Sequence, residues 1–196
     1  MGYSLTAIGV AVLAGLLHHI YLSGPKRESF AYLKHPKIEE LQDHPALIVR
    51  KTGDPNFVVR SVYNAMYSSY CRLPGVSLWN QPIPKARWPK PLETPRPQWE
   101  GIYAIEVPAH VTAADVAAAS KGCFFLWQYG TVAQILHEGD YSLEPPTIHR
   151  LLRFIDESGY RVVGHHEEEY LISPGMFGLI PSWRYLTIIR YRVEKQ

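Results

Sequence analysis

Four consecutive side chains in the last third of the chain, Glu167, Glu168, Glu169 and Tyr170, are the residues best suited to chemistry. They lie in a segment with the composition of a β-strand, where successive side chains point to opposite faces. Glu168 and Tyr170 therefore share one face, and Glu167 and Glu169 share the other. A carboxylate in an apolar cleft can attract a flat cationic ligand, or act on a bound water as a general acid or base when its pKa is raised. The alternative is a solvated acidic edge strand, which protects a sheet from aggregation.

Aromatic residues elsewhere in the sequence could form the walls of such a cleft. Trp127, Tyr141 and Trp183 have flat side chains that could stack on a flat ligand, and each of them could equally belong to the core. With Glu168 and Tyr170 they make up the predicted ligand-binding set. No catalytic residue is assigned, except that Glu168 takes this role if the protein is an enzyme.

Several other kinds of site are not indicated. His165 and His166 stand beside the glutamates, but consecutive strand residues point to opposite faces, and no second cluster has the spacing of metal ligands. We therefore predict no metal and no cofactor. The sequence also lacks the G-x-S-x-G nucleophile elbow and the glycine patterns of the Walker and Rossmann nucleotide sites.

The elements that must position these side chains occur twice in the sequence. Each copy consists of a strand, a Gly-Asp turn, an amphipathic helix and further strand residues. In the first copy the strand is 46–51, the turn is Gly53 and Asp54, the helix runs through Val58 and Met66, and the further strand residues are 101–107. In the second copy the strand is 132–137, the turn is Gly139 and Asp140, and the helix begins at Pro145 and Pro146. The further strand residues are 167–172 and 185–193. The duplication predicts an α+β domain in which strand-helix-strand-strand units form an antiparallel sheet with two helices on one face.

The composition limits the class of protein. The chain has 196 residues and a mass of 22.3 kDa, with 46% hydrophobic and 19% charged residues and a formal net charge of +2. This apolar content can bury a core of ordinary size, so a disordered chain is excluded. The charge is too balanced for a protein whose main work is nucleic-acid binding, and no nucleic-acid partner is predicted. Cys71 and Cys123 form no zinc or disulfide pattern.

Residues 1–27 have the composition of a membrane anchor. From Tyr3 to Leu22 there is no charged side chain, and a helix of this length spans about 30 Å, the thickness of the hydrocarbon core of a bilayer. Gly9 and Gly15 would let such a helix pack closely against other membrane helices. Basic residues directly after the span predict a body on the matrix or cytosolic side of the membrane. We therefore expect one transmembrane helix in contact with lipid.

A proline-rich insert over residues 74–99 separates the two copies. Residues 74–97 hold seven of the 16 prolines, and Trp79, Trp88 and Trp99 accompany them. This composition predicts neither regular structure nor a free linker. We expect an extended arm that lies on the domain or contacts other membrane-protein subunits, since the indole rings gain apolar contact there.

The order of these motifs resembles the GyrI-like small-molecule-binding domain over about residues 40–194. The most specific pieces are HEGDY at His137 to Tyr141, Gly-Tyr and Gly at 159, 160 and 164, and Glu-x-Tyr at Glu168 and Tyr170. We place the GyrI-like domain at 40–196. With a span in front and an insert between the halves, the layout is similar to the single-pass, membrane-anchored GyrI-like proteins of eukaryotes.

The resemblance implies a cleft between the two copies, lined by aromatic residues, with one acidic residue that faces the ligand. The Glu-x-Tyr motif maps this acidic position to Glu168. Bacterial members of the family include ligand domains of multidrug-sensing regulators, inhibitors of gyrase, and hydrolases that open reactive cyclopropane rings. The ligand that this implies is a flat or cationic small molecule.

Two functions fit the sequence. The favoured one is a non-catalytic accessory subunit, held by its single span in a larger membrane assembly, with the mitochondrial inner membrane preferred to the endoplasmic reticulum. The aromatic surface of the arm supports it, as do the position of Glu168 within a run of glutamates and the lack of an identifiable second catalytic group. The alternative is a small-molecule-binding protein or hydrolase that uses the cleft around Glu168.

Overall fold

The chain folds as an antiparallel sheet with helices packed on its faces. The structure, a computed structural model, describes residues 25–77, 81–91, 93–119, 122–175 and 178–196. The strands within this part are β1 (Lys37–Leu41), β2 (His44–Thr52), β3 (Pro84–Trp88), β4 (Glu100–Glu106), β5 (Cys123–Trp127), β6 (Gly130–Glu138), β7 (Tyr160–Val162), β8 (His166–Ile172) and β9 (Leu186–Lys195). The α-helices are α1 (Pro55–Tyr70), α2 (Ala113–Ala119) and α3 (Pro145–Glu157), and 3-10 helices lie at Arg27–Leu33, Arg96–Gln98, Tyr141–Leu143 and Ser182–Arg184.

The predicted duplication is visible in the order of the strands. Across the sheet this order is β1-β6-β9-β8-β3-β4-β2-β5, and β7 pairs with the end of β9. From the centre outward, β3, β4, β2 and β5 on one side of the sheet mirror β8, β9, β6 and β1 on the other, and β1 comes from the start of the chain, before the first copy. The two halves join through the antiparallel pair of β3 and β8, in which Ala86 lies opposite Glu168. The structure thus confirms the α+β class and the antiparallel sheet.

The two Gly-Asp turns have the same local structure. Gly53 and Gly139 have φ angles of 141° and 117°, a region that side chains with a Cβ rarely adopt. In each turn the following aspartate, Asp54 or Asp140, accepts a hydrogen bond of 2.9 Å from the backbone amide two residues further on. This side-chain bond satisfies one of the free amides at the start of the following helical segment.

The helices α1 and α3 lie on the same face of the sheet, as predicted. The core under α1 contains Leu47, Val62, Met66, Ala86, Tyr103 and Ile105. The core under α3 contains Ala133, Ile135, Ile148, Leu151, Ile155 and Ile189. Glu168 in β8 connects them, because its neighbours across the sheet are Ala86 on one side and Ile189 on the other. The opposite face is covered by a cluster around Trp127 and another around Leu33.

Part of the proline-rich insert is regular structure, which corrects the prediction made from its composition. Residues Pro84–Trp88 form β3, which lies at the centre of the sheet between β4 and β8. Proline is tolerated there because it stands at the first residue of the strand, where the missing N–H is least damaging. The rings of Trp88 and Trp99 contact each other at a centroid distance of 5.1 Å. Contact of the insert with other subunits stays a prediction.

The predicted anchor, Tyr3 to Leu22 within residues 1–27, lies outside the described residues. Among the residues that are described, no helix is both long enough and apolar enough to span a bilayer. The transmembrane helix, its lipid and subunit partners, and the mitochondrial location therefore stay predictions.

Candidate functional site

The glutamate run is buried in the middle of the sheet. Glu167 is 3% exposed and Glu168 is 8% exposed, and their strand β8 has a neighbour on each side. The alternative of a solvated edge strand is therefore wrong. The predicted alternation is present: Glu168 contacts Tyr170 on the face with the helices, whereas Glu167 and Glu169 both bind Arg190 on the opposite face.

The carboxylate of Glu168 is held by two neighbours on its own strand. Its Oε1 lies 2.9 Å from Nε2 of His166, and its Oε2 accepts a bond of 2.6 Å from the Tyr170 hydroxyl. Nδ1 of His166 lies 2.9 Å from the Tyr191 hydroxyl, which fixes the imidazole ring. Burial alone would raise the pKa of Glu168, but the hydrogen bond and charge of His166 and the bond from Tyr170 hold this pKa below its usual value. Glu168 is therefore the ionised member of the site.

A second carboxyl group, that of Glu144, faces this cluster from the start of α3. Glu144 is 6% exposed, and its Oε1 has no hydrogen-bond partner among the described residues. Burial, together with the negative charges of Glu168 and Asp140, raises the pKa of Glu144 to about 10. The two carboxyl groups thus differ in protonation at neutral pH, which is the arrangement of an acid and a base in many active sites.

The same cluster has atoms that could bind a metal ion. One ligand atom from each of Glu144, His166 and Glu168 lies within 4.8 Å of the others, the only such convergence within the described ranges. Imidazole and carboxylate groups bind divalent cations such as Zn²⁺. A cation here would have to break the bond between His166 and Glu168, so the hydrogen bonds favour a proton network. The prediction of no metal and no cofactor stays a prediction.

Tyrosine rings from both halves surround these polar groups. Tyr63 of α1 lies edge-to-face against Tyr170 at a centroid distance of 6.2 Å, and Tyr141, just before α3, lies against it at 5.8 Å. Tyr103 and Tyr185 extend the cluster on either side, at 5.5 Å from Tyr63 and 5.1 Å from Tyr141. Burial raises the pKa of these hydroxyls, so they stay protonated at neutral pH. These rings lie at the junction of the two copies, where the resemblance implies a cleft, and a ligand-binding cleft there stays a prediction.

The structure brings together three of the five residues predicted as ligand-binding, namely Glu168, Tyr170 and Tyr141. Trp127 lies on the opposite face of the sheet, where its indole N–H donates a bond of 3.2 Å to Glu167. Trp183 lies in the 3-10 helix Ser182–Arg184 and is 72% exposed. Neither tryptophan lies beside Glu168. The prediction was wrong about their position because the strand that carries Trp127 and the 3-10 helix that carries Trp183 were not identified from the sequence.

Three residues of the cluster were not predicted as part of the site, and one of them, His166, was considered only as a metal ligand. His166 is two positions before Glu168, so the alternation rule already placed both side chains on one face. Tyr63 recurs at helical spacing with Met66 on the buried side of α1. Glu144 directly precedes the Pro-Pro pair that opens α3, and its approach to Glu168 depends on tertiary packing that no local signal shows.

The comparisons with known proteins identify the fold. No protein-family model and no curated protein sequence matches the chain. The crystal structure of a hydrolase from Listeria innocua has a TM-score of 0.71 at 20% identity, and the match covers 86% of this chain and 96% of that one. The crystal structure of the EcmrR C-terminal domain has a TM-score of 0.62 at 15% identity, covering 83% of this chain and 98% of that one.

The complex of EcmrR with DNA also contains this fold. Its cryo-EM structure has a TM-score of 0.62 at 17% identity, and the match covers 97% of this chain and 69% of that one. At such identities the likeness establishes the fold alone, and it fits the GyrI-like fold that the sequence motifs resemble. It provides no support for the membrane-anchored layout.

Proposed function

We propose that the protein binds a small flat molecule in the cleft between α1 and α3, over Glu168. The buried, ionised carboxylate of Glu168 is the observation that carries this proposal. Placing it close to a second buried carboxyl group, that of Glu144, costs free energy and contributes nothing to packing. Such costly pairs of titratable groups occur most often at functional sites.

The walls of the cleft define the class of ligand. Tyr63, Tyr141 and Tyr170 present rings from both halves of the sheet, and flat molecules stack well on aromatic surfaces. Tyr63 and Tyr141 are partly exposed, so a ligand would enter between α1 and the turn before α3. The negative charge of Glu168 favours a ligand that is cationic or carries a hydrogen-bond donor. The likeness in fold to a structure described as a hydrolase supports a small-molecule ligand.

The variant Glu168→Gln tests this proposal because it removes the charge and keeps the shape. We expect the wild-type chain to bind a flat cationic dye, such as ethidium or rhodamine 6G, saturably in a fluorescence titration. Glu168→Gln should weaken this binding by about tenfold or more, which corresponds to the loss of one charge-assisted contact.

Two controls keep the result interpretable. Glu194→Gln makes the same chemical change in an exposed glutamate of β9 and should leave dye affinity unchanged. Tyr63→Ala removes one wall of the cleft without changing its charge, and should weaken binding even if Glu168→Gln does not fold. Equal dye affinity in the wild type and in both cleft variants, with circular dichroism confirming the fold, would reject the cleft as the binding site.

A second candidate function, hydrolysis of the bound molecule, is favoured by the opposite pKa shifts of Glu144 and Glu168. An epoxide, a strained three-membered ring that contains one oxygen atom, is a suitable substrate because its opening needs both an acid and a base. Glu168 would take a proton from a water molecule while the water oxygen bonds to a ring carbon. Glu144 would donate its proton to the ring oxygen as the carbon–oxygen bond of the ring breaks.

Styrene oxide, a flat epoxide, is a direct probe of this reaction. We expect the wild-type chain to convert it to the diol, with Glu144→Gln lowering the rate by about 100-fold or more, as for the loss of a general acid. Dye binding should survive in Glu144→Gln, because the glutamine matches the neutral carboxyl group. Diol formation no faster than in buffer would remove the hydrolase candidate and leave the binding proposal standing.

A further inference from the structure

A second cleft lies on the face of the sheet opposite α1 and α3. Its volume is about 180 Å³, and its lining includes Arg87, His165, Glu167, Arg190 and Arg192. Paired strands bring these residues together, since Arg87 in β3 and Arg190 in β9 both lie directly across from Glu167 in β8. Arg192 is two positions beyond Arg190, so it belongs to the same face.

The floor of this cleft is rigid. The carboxylate of Glu167 accepts bonds of 2.7 Å from both Arg87 and Arg190, and further bonds from the Tyr129 hydroxyl at 2.9 Å and the Trp127 indole at 3.2 Å. Four donors use the acceptor capacity of one carboxylate. The guanidinium of Arg87 also stacks on the Trp127 ring, 3.8 Å from its centroid. Neither arginine at the floor needs to reorganise when a ligand arrives.

The lining of the cleft carries more positive than negative charge. It has three arginines and Glu167 as its one acidic residue. Arg190 has a further acidic partner in Glu169, at 3.0 Å, whereas Arg192 makes no ion pair with any carboxylate in the described part of the chain. The pKa of His165 at the rim is lowered, first by burial and then by the positive charges of Arg87, Arg50 and Arg192.

The backbone holds Arg192 at the mouth of the cleft. The amides of Val163 and Gly164 both donate to the carbonyl oxygen of Arg192, at 2.9 Å and 3.2 Å. A Cβ on Gly164 would lie 2.7 Å from the Cβ of Arg192, so the close approach of these two segments requires glycine. The backbone of Arg192 is therefore fixed beside the rim, and its exposed side chain lines the cleft.

We propose that this cleft binds a carboxylate or phosphate group, with Arg192 and Arg87 as its charged contacts. Guanidinium groups match both anions with paired N–H donors. Arg87 loses little entropy on binding, because its bonds to Glu167 and to the carbonyl oxygen of Gln128 already hold it in place. The site is separate from the cleft over Glu168, because Glu167 and Glu168 point to opposite faces of β8. It takes an anion, whereas the Glu168 cleft is suited to a cation.

Calorimetric titration of the full chain, in a non-ionic detergent and at constant ionic strength, tests this proposal with inorganic phosphate and acetate as probes. We expect saturable binding of at least one of them, and Arg192→Gln should weaken it by about tenfold. Arg153→Gln is the matched control, since Arg153 is an exposed arginine on α3 at the other face. This variant should bind like the wild type.

Each outcome bears on the proposal. Tighter binding of phosphate than of acetate identifies a phosphate ligand, and the reverse order identifies a carboxylate ligand. The pKa of His165, followed by NMR, should rise on anion binding in the wild type and not in Arg192→Gln. Equal weakening in Arg192→Gln and Arg153→Gln, or no saturable binding of either probe, would overturn the proposal. Dye binding over Glu168 tests the other site separately, and competition between phosphate and dye would show that the anion does not occupy this cleft.

Discussion

Replacing Glu167 with alanine is expected to lower the free energy of unfolding by about 3–5 kcal/mol. The substitution leaves Arg87 and Arg190 without the carboxylate that both of them bind, and Arg190 is only 4% exposed. Arg190 then keeps only Glu169 as an acidic partner, and Arg87 keeps no carboxylate partner among the described residues. Loss of a partner by a buried charge is strongly destabilising. The matched control is Glu194→Ala, which breaks an exposed ion pair with Arg161 and should cost less than about 1 kcal/mol.

Urea unfolding at several pH values measures this effect and its origin. Burial alone would raise the pKa of Glu167, but the charges of Arg190 and Arg87 outweigh it and hold the pKa below the ordinary value of 4.5. The stabilisation by Glu167 is therefore fully present above pH 4.5 and is lost as the pH falls through the folded-state pKa. Unfolding curves for Glu167→Ala and Glu194→Ala that coincide at pH 7 would show that the ion network contributes no stability.

Replacing Glu144 with glutamine is expected to raise the free energy of unfolding, by about 2 kcal/mol at pH 6 and by more at higher pH. The folded chain keeps a proton on Glu144 up to a pKa of about 10, whereas the unfolded chain releases it near 4.5. The folded state therefore binds more protons between these values, and stability falls as the pH rises. Glutamine resembles the protonated carboxyl group and removes this dependence.

Thermal or urea unfolding of wild type and Glu144→Gln between pH 5 and pH 9 measures the difference. The two stability curves should separate progressively as the pH increases. Glu157→Gln is the control, because Glu157 is exposed at the far end of α3 and should leave the curve parallel to that of the wild type. Parallel curves for Glu144→Gln as well would mean that Glu144 is ionised in the folded protein. A variant that gains stability and loses turnover would mark Glu144 as a functional residue.

The fold class can be predicted from the sequence because the strongest local signals agree with one another. The turns at Gly53 and Gly139 each follow a strand and precede a helical segment, so the duplication can be recognised without tertiary information. The strand β3 could not be recognised in this way. Its five residues lie among prolines, and they form a strand because β4 and β8 pair with them from distant parts of the chain.

Strand alternation was the only local signal that placed residues of the candidate site together. Alternation placed Glu168 and Tyr170 on one face, and it would have added His166. It could not show that the glutamate run is buried, because the partner of Glu167 in β3, Arg87, is 80 residues away in the sequence. The face of Trp127 and the approach of Glu144 also depend on non-local packing, which a single sequence does not encode in a readable pattern.

The pairing of β3 with β8 also resembles the contact between two subunits. The strand order is mirrored about it, so this pair occupies the position of the two-fold axis in a symmetric dimer. Each half, taken alone, would expose an unpaired edge at this position, and open edges promote aggregation. Glu167 and Glu168 would then lose the neighbours that β3 provides, Arg87 and Ala86. We therefore expect neither half to fold independently of the other.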